Sequence, residues 1–148
     1  MRTMLLMLLA GCGTSDPLTW RPCPGCAAGG GSWDLIADGA EINGDYDPIG
    51  PPDPYLCVTV GGTARCSSQR SDTSSPRWSQ TIATGLSAAE LTRALPVALW
   101  DVDTGGLDSN DLICSTTVTV SDDNLEAGGV RFNCSNGTTV ALEFVHVE

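Results

Sequence analysis

The sequence predicts an all-β protein whose folded domain is an eight-stranded antiparallel β-sandwich. Two observations support this fold class. The 148 residues include 17 glycines and 9 prolines, and only 17% are charged, a composition that favours short strands and turns over long helices. From Ser32 onward, short apolar stretches alternate with clusters of turn-forming residues. A chain of this length has room for one domain with a core of its own.

Eight segments carry the signals of β-strands. Tyr55–Val60 alternates apolar and polar residues, and Leu95–Asp101 is nearly continuously apolar, which indicates a central strand. Gly61-Gly62 between two of the segments is typical of a tight hairpin turn. The predicted strands are Trp33–Ile42, Tyr55–Val60, Ala64–Ser68, Arg77–Ala83, Leu95–Asp101, Leu112–Val120, Val130–Cys134 and Thr138–Val147.

One segment, Ser87 to Arg93, has the pattern of a helical turn. Ser87 followed three residues later by Glu90 forms a capping-box signature. Elsewhere we interpret isolated acidic residues as turn or strand-end residues, because aspartate is common in turns. This interpretation covers Asp45, Asp72, Asp122 and Asp123.

The N-terminal residues resemble a bacterial lipoprotein signal. The apolar run Thr3–Ala10 is too short for a transmembrane helix, which needs about 20 residues, but it suits a secretory signal. It ends in Leu-Ala-Gly-Cys12, which resembles a lipobox and implies that Cys12 is lipidated. We therefore expect a signal peptide at 1–11, a lipidated Gly/Pro-rich tether at 12–31 and the sandwich at 32–148. The expected location is the bacterial cell envelope, as an outer-membrane lipoprotein anchored by its lipid.

The cysteines fit an oxidising compartment. Without Cys12 six remain, enough for three disulfides, and the candidate pairs are Cys57 with Cys66, Cys114 with Cys134, and Cys23 with Cys26. A Cys-x-x-Cys motif can also be a redox centre or half of a zinc site. Because the chain has no second such motif and a single histidine, His146, a local disulfide is favoured and His146 is interpreted as an ordinary strand residue.

The formal net charge of −11 limits the kinds of molecule that the chain can bind. Phosphate backbones require a basic face, so nucleic acid is excluded as a partner. A divalent cation is the natural counterpart of this charge, although acidic residues that only maintain solubility would give the same total.

Aspartates gather in two stretches at predicted strand ends. The first runs from Asp47 to Asp53 and leads into a strand; the second begins at Asp101 and Asp103, which alternation places on one side of the chain. Two unit charges about 4 Å apart repel by roughly 4 kcal/mol at an effective dielectric of 20, and a bound cation would relieve this. Calcium suits such ligands because it takes six to eight oxygens in flexible geometry. Zinc would prefer imidazole or thiolate.

These stretches resemble the C2 domain, the calcium- and phospholipid-binding module of synaptotagmins, protein kinase C and many phospholipases. The resemblance rests on Asp-x5-Asp-Pro-Tyr at Asp47 and Asp53, on Ser-Pro-Arg-Trp78, and on Trp-Asp-Val-Asp103 followed by Asn-Asp-Leu-Ile113. It implies that calcium is the cofactor and that its ligands are Asp47, Asp53, Asp101, Asp103 and Asp111, supplemented by Asp108 or Ser109. It also implies membrane contact by Ile49 and Leu107 at the loop tips. The lysine-rich strand that binds phosphoinositides in the family has no counterpart, since the chain contains no lysine.

Two functions follow as hypotheses. The first is a calcium-dependent binding module that engages anionic phospholipid, lipopolysaccharide or a protein surface. The second is a structural or protein-interaction domain, stabilised by calcium and disulfides, that does not bind lipid. An enzyme is not expected, because the sequence offers no histidine or cysteine nucleophile pair and no G-x-S-x-G elbow.

Overall fold

The computed structural model describes residues 20–47, 49–103 and 110–148; Cys12, Leu107, Asp108 and Ser109 lie outside these ranges. The described residues form two antiparallel four-stranded sheets, with strand orders β4-β1-β8-β7 and β3-β2-β5-β6. The predicted eight-stranded sandwich is therefore confirmed. The strands are β1 (Ser32–Glu41), β2 (Pro54–Val60), β3 (Thr63–Cys66), β4 (Arg77–Leu86), β5 (Ala94–Asp101), β6 (Asp111–Thr119), β7 (Gly129–Asn133) and β8 (Thr139–Val147).

The two sheets bury their inward-facing side chains between them. Along β2, the buried residues Leu56, Val58 and Val60 alternate with half-exposed ones, as a period of two requires for a strand with one face in the core. Strand β5 pairs with β2 on one side and β6 on the other, which is the central position its apolar run predicts. The largest fully buried side chains include Trp33 and Phe144 in the opposite sheet.

The hairpin and the disulfides agree with the sequence pattern. Val60 pairs with Thr63, and Gly61 and Gly62 between them have φ of +57° and +81°. Positive φ at both central residues is what a two-residue hairpin turn of this twist requires, and glycine adopts it without strain. The pairs Cys57–Cys66, Cys114–Cys134 and Cys23–Cys26 are all bonded, and the second of these joins strand β6 to the chain just after β7, across the two sheets.

Two short helices lie at turns between strands. Helix α1 (Ala88–Leu91) begins at the predicted cap Ser87, where both halves of the capping box with Glu90 are formed. Helix α2 (Asp122–Ala127) was not predicted, and the interpretation of Asp122 and Asp123 as turn residues is wrong. Ser121 caps this helix in the same manner through Asn124, which the usual Ser-x-x-Glu signature does not include.

Residues 20–31 contact the sandwich. The indole Nε1 of Trp20 donates to Oδ2 of Asp38 over 3.0 Å, and the backbone N–H of Cys23 donates to the Glu126 carbonyl over 2.8 Å. The Trp20 ring covers Gly129, where an added Cβ would lie 2.5 Å from the ring. The described part of the segment that composition assigns to a tether is thus attached to α2 and β7. No helix among the described residues has the length and apolarity to cross a bilayer.

Candidate metal centre

Three of the predicted ligand residues, Asp53, Asp101 and Asp111, lie at the same end of three neighbouring strands of the second sheet. Asp101 ends β5 and pairs with Pro54 on one neighbouring strand and with Asp111 on the other. Asp53 immediately precedes Pro54. Directly opposed residues of an antiparallel pair have their Cβ atoms about 4.5–5.5 Å apart, so the register places the side chains of Asp101 and Asp111 side by side. Asp53 joins them through its backbone N–H, which donates to the Asp101 carboxylate. Asp101 is the central one.

Asp101 is the buried member of this group. It is only 1% exposed, and its Oδ1 accepts the backbone N–H of Asp53 over 2.6 Å. Its other oxygen, Oδ2, is buried without a hydrogen-bond partner among the described residues. Burial raises the pKa of the Asp101 carboxyl, the Asp53 hydrogen bond opposes this, and the charges of Asp47, Asp53 and Asp111 add to it. A cation at Oδ2 would satisfy the oxygen and offset both the burial and the repulsion.

Asp53 is held by donors of the protein. Its Oδ1 accepts the backbone N–H of Asp72 over 2.7 Å, and its Oδ2 accepts Nε2 of Gln69 over 3.0 Å. Its carbonyl accepts the N–H of Val102 over 3.2 Å, at the exit of β5. Asp53 therefore fastens the β3–β4 connection and the end of β5 to the start of β2.

Asp72, interpreted from sequence as a turn residue, lies at the same end of the molecule. Its φ of +52° is a left-handed conformation that aspartate tolerates better than most residues. Its Oδ1 lies 3.9 Å from where a Cβ on Gly50 would stand, so this carboxylate faces the first loop. No spacing rule in the sequence links Asp72 to that loop, since the contact depends on how the β3–β4 connection packs.

The first loop carries Asp47 and Ile49. Oδ1 of Asp47 accepts the N–H of Ile49 over 2.9 Å, and Asp47 forms an isolated β-bridge with Gly50. This local turn leaves the Ile49 side chain 88% exposed. Asp45 and Asp47 line an open cavity of about 780 Å³ beside the loop.

A polar network that the sequence did not indicate supports the base of this loop. Nδ2 of Asn136 donates to the Tyr46 hydroxyl over 2.6 Å and to the Ile113 carbonyl over 2.8 Å. Nδ2 of Asn43 donates in turn to the Asn136 carbonyl over 2.7 Å. These bonds connect the start of the first loop to the β7–β8 turn and to β6. The loop thus begins from a fixed position.

The residues fit calcium by the chemistry of their donors. Asp103 follows Asp101 by two positions, and its Oδ2 is also buried. Carboxylate oxygens are the ligands that calcium prefers. Among the described residues, however, no three carboxylates place one oxygen each within 4.8 Å of one another. The fit therefore rests on the all-oxygen donor set and on the buried Oδ2 of Asp101.

Comparisons with known proteins identify similar folds. The C2 domain family model matches residues 36–134. The calcium-bound C2 domains of extended-synaptotagmin 2 are 20% identical to the chain with a TM-score of 0.61, over 78% of this chain and 45% of that one. A structure described as that of a C2 domain is 18% identical with a TM-score of 0.57, over 78% and 98%.

Human GIVD cytosolic phospholipase A2, in complex with methyl gamma-linolenyl fluorophosphonate, is 17% identical to the chain with a TM-score of 0.57. The match covers 77% of this chain and spans only 16% of the phospholipase. Identities at this level show the fold alone. No curated protein matches the chain.

Proposed function

Because this chain belongs to the C2 domain family, we propose that its acidic end binds calcium and, through calcium, attaches the domain to anionic phospholipid or another surface of the cell envelope. The lipid on Cys12 would anchor the same protein to the outer membrane. The observation that carries the proposal is Asp101, whose buried carboxylate has one oxygen without a hydrogen-bond partner among the described residues. Asp111 lies opposite it on β6, and Asp53 lies just before its partner Pro54 on β2.

The proposed ligands are the aspartates of the two loops. Asp101 and Asp103 would supply the buried oxygens. Asp47 and Asp111 would supply the more accessible ones, and Asp53 would join after giving up its hydrogen bond to Gln69. Asp108 or Ser109, which lie outside the described residues, would complete the shell. Calcium accommodates such a mixed set because it takes six to eight oxygens in flexible geometry.

Calcium would also decide whether the acidic end can approach a membrane. A chain with a formal charge of −11 is repelled by anionic lipid, and a calcium ion bridging carboxylate and phosphate oxygens reverses that repulsion locally. Ile49, 88% exposed at the tip of the first loop, would then enter the apolar layer and contribute about 2 kcal/mol. Leu107 is the corresponding candidate in the third loop.

The proposal is for binding rather than catalysis. The C2 domain is a non-catalytic module even where it occurs in an enzyme such as a phospholipase A2. The proposed function therefore needs no nucleophile or general base, only oxygen ligands and a surface to bind.

Co-sedimentation with vesicles tests the proposal. Vesicles of neutral lipid with and without anionic phospholipid are mixed with the chain lacking residues 1–19, in calcium or in chelator. We expect binding only to anionic vesicles and only with calcium. Asp101→Asn should abolish it, and Asp123→Asn, which removes one charge on α2 at the opposite end of the sandwich, should not. Equal binding in calcium and chelator would reject the proposal.

A structural role for calcium is the second candidate, and the state of Asp53 favours it. Both carboxylate oxygens of Asp53 already accept protein hydrogen bonds, so this residue fixes loops even without a metal. Together with the disulfides, such a site would stabilise a domain that meets a protein surface. A melting temperature that rises with calcium, combined with vesicle binding that does not respond to calcium, would select this candidate.

A further inference from the structure

The single histidine of the chain lies beside the Cys-x-x-Cys motif. Each of Cys23, Cys26 and His146 has a donor atom, a sulfur or a ring nitrogen, within 4.8 Å of the other two. All three side chains are half-exposed. They form the one such group of metal-ligating side chains among the described residues.

The backbone shapes this cluster. Cys23 to Cys26 form a turn in which the Cys26 N–H donates to the Cys23 carbonyl over 3.1 Å, with Gly25 at φ +79°. Proline followed by a glycine of positive φ is typical of a type II turn. The turn is fastened to α2 through the Cys23 N–H and the Glu126 carbonyl. Both sulfurs are thus presented from a fixed loop.

The orientation of His146 is also fixed. Its Nε2 lies 2.8 Å from the Gly30 carbonyl, which can only accept, so Nε2 carries the hydrogen. In the neutral ring the lone pair is then on Nδ1. Trp33 packs edge-on against the imidazole with ring centroids 4.9 Å apart.

Gly31 permits the close approach of the chain to His146. A Cβ at Gly31 would lie 2.5 Å from Nε2 of the ring, and the φ of this residue is +89°. A histidine that donates its other N–H to a backbone carbonyl is the arrangement that orients a metal ligand. The hydrogen bond to Gly30 therefore fixes the ring and leaves Nδ1 as the nitrogen with a lone pair for a metal.

We propose that Cys23, Cys26 and His146 form a zinc site that becomes available when the Cys23–Cys26 disulfide is reduced. Two thiolates and one imidazole are a ligand set that zinc takes, with the fourth position left to water or a further ligand. Strand β1, of 10 residues, separates this end from the calcium end by roughly 30 Å, so the two sites are independent.

The redox step balances as a thiol–disulfide exchange. A dithiol reductant supplies two electrons and two protons to the Cys23–Cys26 disulfide and becomes a disulfide itself. Zinc then binds the two sulfurs as thiolates and releases their protons to solvent. The two sulfurs therefore cannot bind zinc in the oxidised protein and can bind it in the reduced protein.

Cobalt(II) titration tests the site, because cobalt replaces zinc and absorbs strongly when thiolates bind it. The chain lacking residues 1–19 is reduced, freed of reductant without air, and titrated. We expect thiolate-to-cobalt absorption at one equivalent, its displacement by zinc, and none in the oxidised protein. Cys23→Ser with Cys26→Ser should abolish the absorption, and His146→Gln should weaken binding at least about tenfold.

Cys57→Ser with Cys66→Ser is the matched control, since it removes another solvent-accessible pair of thiols and should leave cobalt binding unchanged. Circular dichroism shows whether each variant is folded. Calcium binding by His146→Gln should equal that of the unaltered chain, so failure of the zinc site can be told apart from failure of the proposed calcium site. Absorption that survives in the Cys23→Ser, Cys26→Ser protein, or is absent from the reduced chain, would overturn the zinc site.

Discussion

Replacing Asp101 by asparagine tests two properties of this carboxylate separately: its effect on the stability of the metal-free domain, and its contribution to calcium binding. Asparagine has the same shape, and its Oδ1 can still accept the Asp53 N–H. The substitution removes a negative charge that is 1% exposed and directly opposite Asp111. We therefore expect opposite effects in the two conditions: no loss of stability in chelator, and loss of the stabilisation that calcium provides.

The magnitude in chelator follows from charge and hydrogen bonding. Two charges about 5 Å apart repel by roughly 3 kcal/mol at an effective dielectric of 20, and the exposure of Asp111 reduces this to about 1 kcal/mol. Against that gain, the bond from Asp53 loses its charge assistance, which costs about 1 kcal/mol. These two contributions cancel to about zero. Asparagine also removes the burial of a charge, so the expected change is between zero and about 1 kcal/mol of stabilisation. A buried carboxylate with ordinary partners would instead lose about 2 kcal/mol or more on substitution.

In calcium, the unaltered domain should be more stable than Asp101→Asn. At a free concentration 100 times the Kd, a ligand that binds only the folded state stabilises it by about 2.7 kcal/mol. For a chain of this size that is a rise in Tm of about 10 °C. We expect the unaltered domain to show this rise and Asp101→Asn to show almost none.

Thermal unfolding in chelator and in calcium measures both quantities, with Asp123→Asn as the charge-matched control. The pKa of Asp101 is raised above its ordinary value of 3.8, chiefly by burial, so ionisation destabilises the fold as pH rises through that interval. Any gain in chelator should therefore disappear below a pH of about 4. An Asp101→Asn protein that loses 2 kcal/mol in chelator and keeps the full calcium response would show that Asp101 is neither destabilised by its charge nor a calcium ligand.

Three other predictions concern the scaffold. Burial, with a contribution from Asp38 that Arg21 opposes, raises the pKa of Glu143 above 4.5, so stability falls as pH rises through that window; Glu143→Gln should raise Tm at pH 7 and not at pH 3. Gly129→Ala should cost about 1–3 kcal/mol by denaturant unfolding, because its Cβ would meet the Trp20 ring, whereas Gly29→Ala, with ordinary contacts, should change stability by less than about 0.5 kcal/mol. Loss of the Cys114–Cys134 disulfide should cost about 0.7 kcal/mol more than loss of Cys57–Cys66, since it closes 20 residues rather than 9; equal losses in urea would contradict this.

The fold could be predicted because its signals are local. The alternation of apolar and polar residues along Tyr55–Val60 predicts which side chains share a face of the strand, and Gly61-Gly62 indicates where the chain reverses. Ser87 and Glu90 mark a helix start by their spacing alone. Helix α2 was missed where the same capping geometry uses an asparagine in place of glutamate.

The candidate site was predicted only in part. The sequence placed Asp101 at a strand exit, but it could not show that Asp101 is buried, or that Gln69 and Asp72 already donate to Asp53. Nor could spacing place Asp72 beside Gly50. These facts depend on the packing of the β3–β4 connection against the first loop.

The class of fold and the acidic stretches at the strand ends could be predicted from the sequence, because periodicity, turn residues and residue type act within a few positions of one another. Which groups meet across the chain could be seen only in the folded molecule: His146 lies beside Cys23 and Cys26, and Trp20 lies over Gly129. Such contacts are set by the order of strands in the sheets and by burial, and no local sequence pattern contains either.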